Sequence, residues 1–408
     1  MVKTTDIKSA FLQGKTLDRD VYLIPPKEAH TERGKLWKLK HCLYGLNDAA
    51  RQFYASVVEV LKSLGCKQSK LDPALFYFWM NGKLAGVIGS HIDDFLHAGD
   101  DSFEYVVMEK LRDRFLAGKV ESSNFRYVGY QVTQNNGCLV LNQDDYAKSI
   151  TVENVPANRL SNKSDKLNQL ESTQLRSLAG KLNWLVQGTR PDLAFELVEL
   201  SMQFKKGDVS DWMKGVKAIK KAQTSDCSVC FPMLGDMKDW KIIVFSDAAL
   251  ANLSDGKSST GAHIVMLVGV NKLCCPLAWQ ANKIKRIVRS TIAAEALSLL
   301  QGLENAIYLR ALMSEVLGCD ANVVKIIAYV DNKSVVEAVY STKQVDDKKL
   351  RIDLGAIKEC VDRGEVSSVR WCPGDKQLAN CLTKRGASSH MILDILHTGV
   401  LNIPGLDL

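Results

Sequence analysis

No apolar run in the 408 residues approaches the roughly 20 residues that a membrane-spanning helix needs. The N-terminal stretch MVKTTDIKSAF lacks the apolar core of a signal peptide, which places the protein inside the cell as an expectation. Internal repeats and low-complexity tracts are also missing, which excludes solenoids and collagen-like chains. A zinc set is lacking too. Cys227-x-x-Cys230 has no second pair, and the seven histidines (30, 41, 91, 97, 263, 390, 397) supply none at ligand spacing. The eleven cysteines, odd in number and scattered, therefore read as reduced and mostly buried thiols.

What remains is an ordinary globular composition, 46% apolar and 24% charged, with a net charge of +7 that permits nucleic-acid binding without requiring it. At this length two to three domains are expected. Residues 47–64 read as a helix, with Asn47 or Asp48 at its start, a stripe through Phe53, Val57 and Leu61, and Gly65 at its end. Residues 74–79 and 84–92 form a hairpin about Asn81-Gly82, and a second helix runs from about 102 to 116. Another hairpin, near 125–142, turns at Asn135-Asn136-Gly137. Helical periodicity dominates to about 224 after a polar linker, broken where Pro191 can open a new helix. From about Asp239 three strands are followed by alternating helices and strands, which predicts a mixed sheet covered by helices.

Two constellations carry chemistry. His91-Ile92-Asp93-Asp94 puts two carboxylates in a tight turn between apolar strands. A lone pair of this kind is more often a solvated turn. Asp6, however, also closes an extended run, and beside the hairpin it would make a third carboxylate. Three carboxylates on adjacent strand ends suit two Mg²⁺ ions roughly 4 Å apart, as in in-line phosphoryl displacement. In the second half, Asp247 and Asp331 end apolar strands and Glu295 lies in a helix among small and apolar residues. Each has an ordinary explanation, helix capping for Asp331 above all, but their order suits convergence at one sheet edge. Lys283, Lys285, Arg286 and Arg289, just before the Glu295 helix, could track phosphates or could simply be solvated.

Residues 1–225 resemble the reverse transcriptase of copia-type long-terminal-repeat retrotransposons. The matching pieces are Asp6–Gly14, Trp37–Leu46 continuing to Arg51 and Tyr54, His91–Asp94, and Thr189–Asp192. The resemblance implies a palm in which Asp6 and Asp93 hold metal with Asp94 beside them. It also implies that Phe11 screens the ribose 2′ position of an incoming nucleotide, and that the loop at Gly45 packs against template and nucleotide. Residues 239–386 resemble the ribonuclease H domain that follows reverse transcriptase in the same elements. The matching segments are Ser246–Ala249, Ser258–Gly261, Trp279–Arg289, Ser290–Glu295, Tyr329–Asn332 and Gln377–Lys384. This implies that Asp247, Glu295 and Asp331 hold two Mg²⁺ or Mn²⁺ ions per site, with Asn332 and Ser334 positioning the hybrid.

The implied organisation is α/β overall. A palm without its fingers spans 1–150, a helical connection 151–235, a ribonuclease H-like domain 236–386 and a C-terminal tail 387–408. The implied partners are RNA template, DNA primer, RNA–DNA hybrid and deoxynucleotide triphosphates, with integrase and protease expected upstream in an intact polyprotein. A cytoplasmic particle or the nucleus is the implied location. His91, Asp48 and Ala50 depart from the family's aromatic, Gln and Pro. Asn380 stands where the family has a fourth metal-binding aspartate. The rival from another class is a decayed or host-recruited remnant that binds nucleic acid without catalysis.

Overall fold

A computed structural model describes residues 1–135, 137–343 and 345–406, so Asn136 of the expected turn and the last two residues of the tail lie outside the described residues. The chain is a mixture of helix and strand that divides into two compact units. The first is Met1–Val128 with Glu315–Gly318, and the second holds Gly129–Ser314 and Cys319–Leu408.

The first unit is built on an antiparallel sheet. β1 (Val2–Ile7) lies one strand in from its edge, between β4 (Asp94–Gly99) and the edge strand β5 (Ala117–Ser122). β2 (Leu75–Met80) and β3 (Lys83–His91) extend the sheet beyond β4. α1 (Ala49–Ser63) buries Phe53, Val57 and Leu61, the i, i+4, i+8 stripe of an amphipathic helix. Asp48 precedes it without a capping bond and pairs instead with Arg19 at 2.8 Å. Gly65, at φ 90, ends it in the left-handed region.

The expected boundary near residue 150 is not where the structure divides. β6 (Tyr130–Asn135) and β7 (Cys138–Asn142) form the expected hairpin, but β7 also pairs with β8 (Ser228–Pro232), which ties the hairpin to the second unit. Cys138 and Cys230 are joined in a disulfide, against the expectation of reduced thiols, because this pairing brings together residues 92 apart in sequence. α2 (Gln169–Gly188) starts with a capping box from Asn168 and Glu171. α3 (Ala194–Ser201) and α4 (Val209–Thr224) pack against it. Between α2 and α3, Arg190 and Asp192 are buried together in a two-pronged ion pair at 2.8 and 3.0 Å. Arg190 also donates to the carbonyls of Ala222 and Ser225, so this pair closes the end of α4.

The second sheet has the order β11-β10-β9-β12-β13 once its strands are numbered. They are β9 (Lys241–Ala249), β10 (Thr260–Val268), β11 (Cys274–Lys283), β12 (Lys325–Val330) and β13 (Ser368–Trp371). β9, β10 and β11 run antiparallel, whereas β12 is parallel to β9 and β13 to β12. α5 (Thr291–Leu317) covers one face through Ala296, Leu299, Leu303 and Ala306, together with Val244 and Val265. α2 to α4 share the other core with Ile243, Phe245 and Ile264. The tail is no loose end. α6 (His390–Thr398) buries Ile392, Ile395 and Leu396, and Leu401 and Ile403 beyond it are buried in the same core.

Candidate functional sites

In the first unit, strand pairing sets Asp6 opposite Asp94 across β1 and β4. Directly opposed residues in an antiparallel pair face the same side. Asp93 lies in the two-residue turn, and its carbonyl accepts the Ile7 amide at 2.9 Å. Ile92, beside it, is at φ 54, a region that β-branched residues rarely enter, so the tip is strained. Burial raises the Asp94 pKa, and the neighbouring Asp93 and Asp6 charges raise it further. The three carboxylates crowd as expected but do not form a tight cluster. Among the described residues, only the second unit brings three such groups within 4.8 Å of one another. Phe11 sits half-buried in a one-turn helix with its ring 4.5 Å from that of Tyr44. Gly45 follows at φ 100, a conformation that favours glycine.

Sequence reasoning missed Gly118 on β5. A Cβ built there would overlap the Asp6 carboxylate. The available signal was a glycine inside a strand, which often marks a close approach.

The second unit has the tighter site. Asp247 lies inside β9 rather than at its end, because β9 continues to Ala249. It is fully buried, Glu295 is 3% exposed, and Asp331 is half-buried just past β12. Ser298 fixes α5 to the sheet by donating to the carbonyls of Asp247 and Ala262, both at 2.9 Å, which seats Glu295 one turn earlier beside Asp247. Burial, reinforced by the Asp247 and Asp331 charges, pushes the Glu295 pKa up to about 9. Among the described residues, buried Glu295 Oε2 has no hydrogen-bond partner. Such an orphaned carboxylate oxygen, with three acceptor-only groups converging, is the donor set of a hard divalent cation. Asp331 does not cap the next helix. Asn332 does, accepting the Val335 amide at 3.3 Å, which leaves Asp331 to the cluster.

Other expected residues are placed differently. Arg286 is ion-paired with Asp353 and is not a free phosphate contact. Lys283 and Lys285 line a groove of about 1090 Å³ between β11, α2, α3 and α5, with Asn183, Gln280, Gln301 and Arg176. Arg289 is exposed and helps to lower the Asp347 pKa, whose main cause is the backbone bond from Leu350. Ser334 is exposed in the first turn after Asn332. Asn380 is not among the converging carboxylates. Its Nδ2 donates to the Gly374 carbonyl at 2.7 Å and its Oδ1 accepts the Lys384 ammonium.

Three residues missing from the expected set complete this site. Thr383 donates to Asp247 Oδ2, and Lys384 Nζ lies 3.4 Å from both Asp247 oxygens. Gln377 donates to the carbonyls of Ser246 and Tyr329 at 3.0 and 3.2 Å, which holds the two carboxylate-bearing strands in register. All three lie in the Gln377–Lys384 segment, but only Asn380 stood out there, as a departure.

Residues 1–162 match the reverse transcriptase (RNA-dependent DNA polymerase) family. Over 94% of its length the chain is 29% identical to the retrovirus-related Pol polyprotein from transposon RE1 of Arabidopsis thaliana, and 27% identical to that from transposon RE2 of the same plant. It covers 26% of each, so the chain spans about a quarter of the length of these curated relatives. A solved ribonuclease H1 from Halobacterium salinarum aligns with 33% of this chain and 86% of its own, at 19% identity and a TM-score of 0.24.

Proposed function

We propose that the chain is the catalytic part of a retrotransposon Pol polyprotein, with a reverse transcriptase domain followed by a nuclease that cuts RNA in RNA–DNA hybrids. The polymerase reading rests on the family match over residues 1–162 and on Asp6, Asp93 and Asp94 at the hairpin. RNA template, DNA primer and deoxynucleotide triphosphates are the substrates it implies. The single observation that carries the nuclease reading is the convergence of Asp247, Glu295 and Asp331 from two strands and a helix, with Glu295 Oε2 orphaned and buried.

Asp247, Glu295 and Asp331 would hold Mg²⁺ or Mn²⁺. Bound there, divalent metal supplies an activated water and a counter-charge for the leaving 3′ oxygen. The remaining work falls to the protein. Ser298, Gln377 and Thr383 fix the carboxylates before substrate arrives, which removes the cost of ordering them during reaction. Lys333 and Lys384 flank the open mouth of the site, a cavity of about 520 Å³, and would attract the phosphate backbone. The Lys333 ammonium stands over the Trp371 ring at 4.5 Å, which steadies it in that position.

The test is cleavage of a labelled RNA–DNA hybrid with and without chelator. Mg²⁺- or Mn²⁺-dependent cleavage of the RNA strand that disappears in Glu295→Gln is expected. Binding of hybrid without any cleavage, by a folded chain at saturating cation, would favour the inactive remnant instead.

A further inference from the structure

The carboxylate cluster in the second unit already has a cation beside it. Lys384 Nζ lies 3.4 Å from both oxygens of Asp247 and lines the same cavity as Glu295. It does not wander there freely, because it donates a hydrogen bond to Asn380 Oδ1, and Asn380 is itself anchored through Nδ2 to the Gly374 carbonyl at 2.7 Å. Thr383, the preceding residue, donates to Asp247 Oδ2. One short helix, Asn380–Thr383, therefore carries the tether and delivers both donors to one carboxylate.

The charges follow from this geometry. Three carboxylates contribute −3, and one ammonium returns +1. An amide stands at position 380, so no fourth carboxylate offsets that ammonium. A single divalent ion then brings the sum to zero, whereas two would leave an excess of two positive charges within a few ångströms. Both Asp247 oxygens are engaged, while Glu295 Oε2 is not. We propose that Lys384, tethered by Asn380, is a built-in counter-cation that takes the place of a second metal ion and restricts the Asp247–Glu295–Asp331 site to one divalent cation. This rests on the nuclease reading and refines it, since the resemblance alone implies two ions. Asn380 is then a positioning residue and not a ligand.

The experiment is calorimetric titration of the full chain with MnCl₂, with free Mn²⁺ followed by its electron paramagnetic resonance. Ions belonging to this site are counted as those lost in Glu295→Gln. The wild-type chain is expected to lose one. Lys384→Met is expected to hold two Glu295-dependent ions, the first bound about ten-fold tighter or more, the scale set by removing a like charge a few ångströms away. Lys384→Gln serves if the Met variant melts early. Asn380→Ala is expected to tighten Mn²⁺ binding by a smaller factor, because it releases Lys384 from its tether. Two Glu295-dependent ions in the wild-type chain would overturn the counter-cation while leaving the nuclease reading intact, and so would a count that stays at one without Lys384. Weaker binding in Asn380→Ala would also overturn it, by making Asn380 a ligand. If Glu295→Gln releases no ion at all, the nuclease reading falls and this inference with it.

Discussion

At the hairpin tip of the first unit, Asp93 and Asp94 are half-buried beside an exposed Asp6, whereas Asp247 and Glu295 in the second unit are sealed in a sheet core. The first set meets across a strained turn and lacks the mutual approach of the second. The second is held by side-chain bonds from Thr383, Ser298 and Gln377, and has a lysine in contact. An open cluster tolerates its own repulsion through solvent and salt screening. A buried cluster has no such relief. It must carry its own compensation or keep a proton, and the raised pKa of Glu295 is that strain made visible.

The comparison breaks most directly by mutation at Asp247. Asp247→Asn should lower hybrid cleavage by at least roughly a hundred-fold, the upper scale for losing even an outer partner of a metal ligand. Primer extension should be unaffected. Cleavage and extension assays on one preparation check this, and equal loss of both would mean that the two sites are not independent.

A second contrast concerns ion pairs. Arg190 and Asp192 are buried together, and although burial alone would raise the Asp192 pKa, the bonds from Arg190 bring it below the usual range. Arg190→Ala leaves that carboxylate buried without its two-pronged partner, which should cost about 3–5 kcal/mol in urea unfolding. Arg19→Ala removes the solvent-exposed pair with Asp48 in the first unit and should leave the unfolding midpoint in place.

The units share a buried histidine that weakens them in acid, and they differ in a buried carboxylate that works the other way. His97 in the first and His263 in the second are both pushed by burial down to about 4. An unfolded chain takes up these protons near pH 6.5, but the folded one resists until about 4. The histidine contribution to stability is therefore full above pH 6.5 and falls as pH drops toward 4, by about 3 kcal/mol per histidine. Glu295 works the other way. Its folded pKa of about 9 exceeds the ordinary 4.5, so the metal-free second unit should lose stability as pH rises between those values. Segment-resolved hydrogen exchange across pH checks both. Added Mn²⁺ should abolish the Glu295-linked loss between pH 4.5 and 9, in the second unit only.

Much of this arrangement is legible from local sequence. The α1 stripe, the His91–Asp94 turn and the strands bearing Asp247 and Asp331 depend on neighbours in the chain. What escaped depends on distant pairing. The 130–142 hairpin joins the second unit because β7 meets a strand some 90 residues later, and that same meeting creates the Cys138–Cys230 bond. The tail folds into the core for the same reason, through Ile392 and Leu401. Lys384 was given no role from the sequence, since nothing local shows that a carboxylate 137 residues away lies against it.

The smallest expected effect tests whether the open site is as adaptable as its exposure suggests. Gly118 has no backbone need for glycine, since its φ is not positive, so Gly118→Ala should barely alter folding by that route. The three atoms nearest a new Cβ all belong to the Asp6 carboxylate, which it would overlap. Asp6 is exposed and can swing toward solvent. Stability should therefore change by about 1 kcal/mol or less, well under the cost of overpacking a closed core. Primer extension should nevertheless fall, because the displaced carboxylate no longer faces Asp94, and raising Mn²⁺ should recover part of the loss. Steady-state extension against Mn²⁺ concentration, beside a urea melt, separates the two effects. Unchanged extension in a normally stable variant would mean that the facing position of Asp6 is not used in catalysis. A large loss of stability would instead show that the Asp6 side chain is held as rigidly as Asp247, and the contrast between the two clusters would fail.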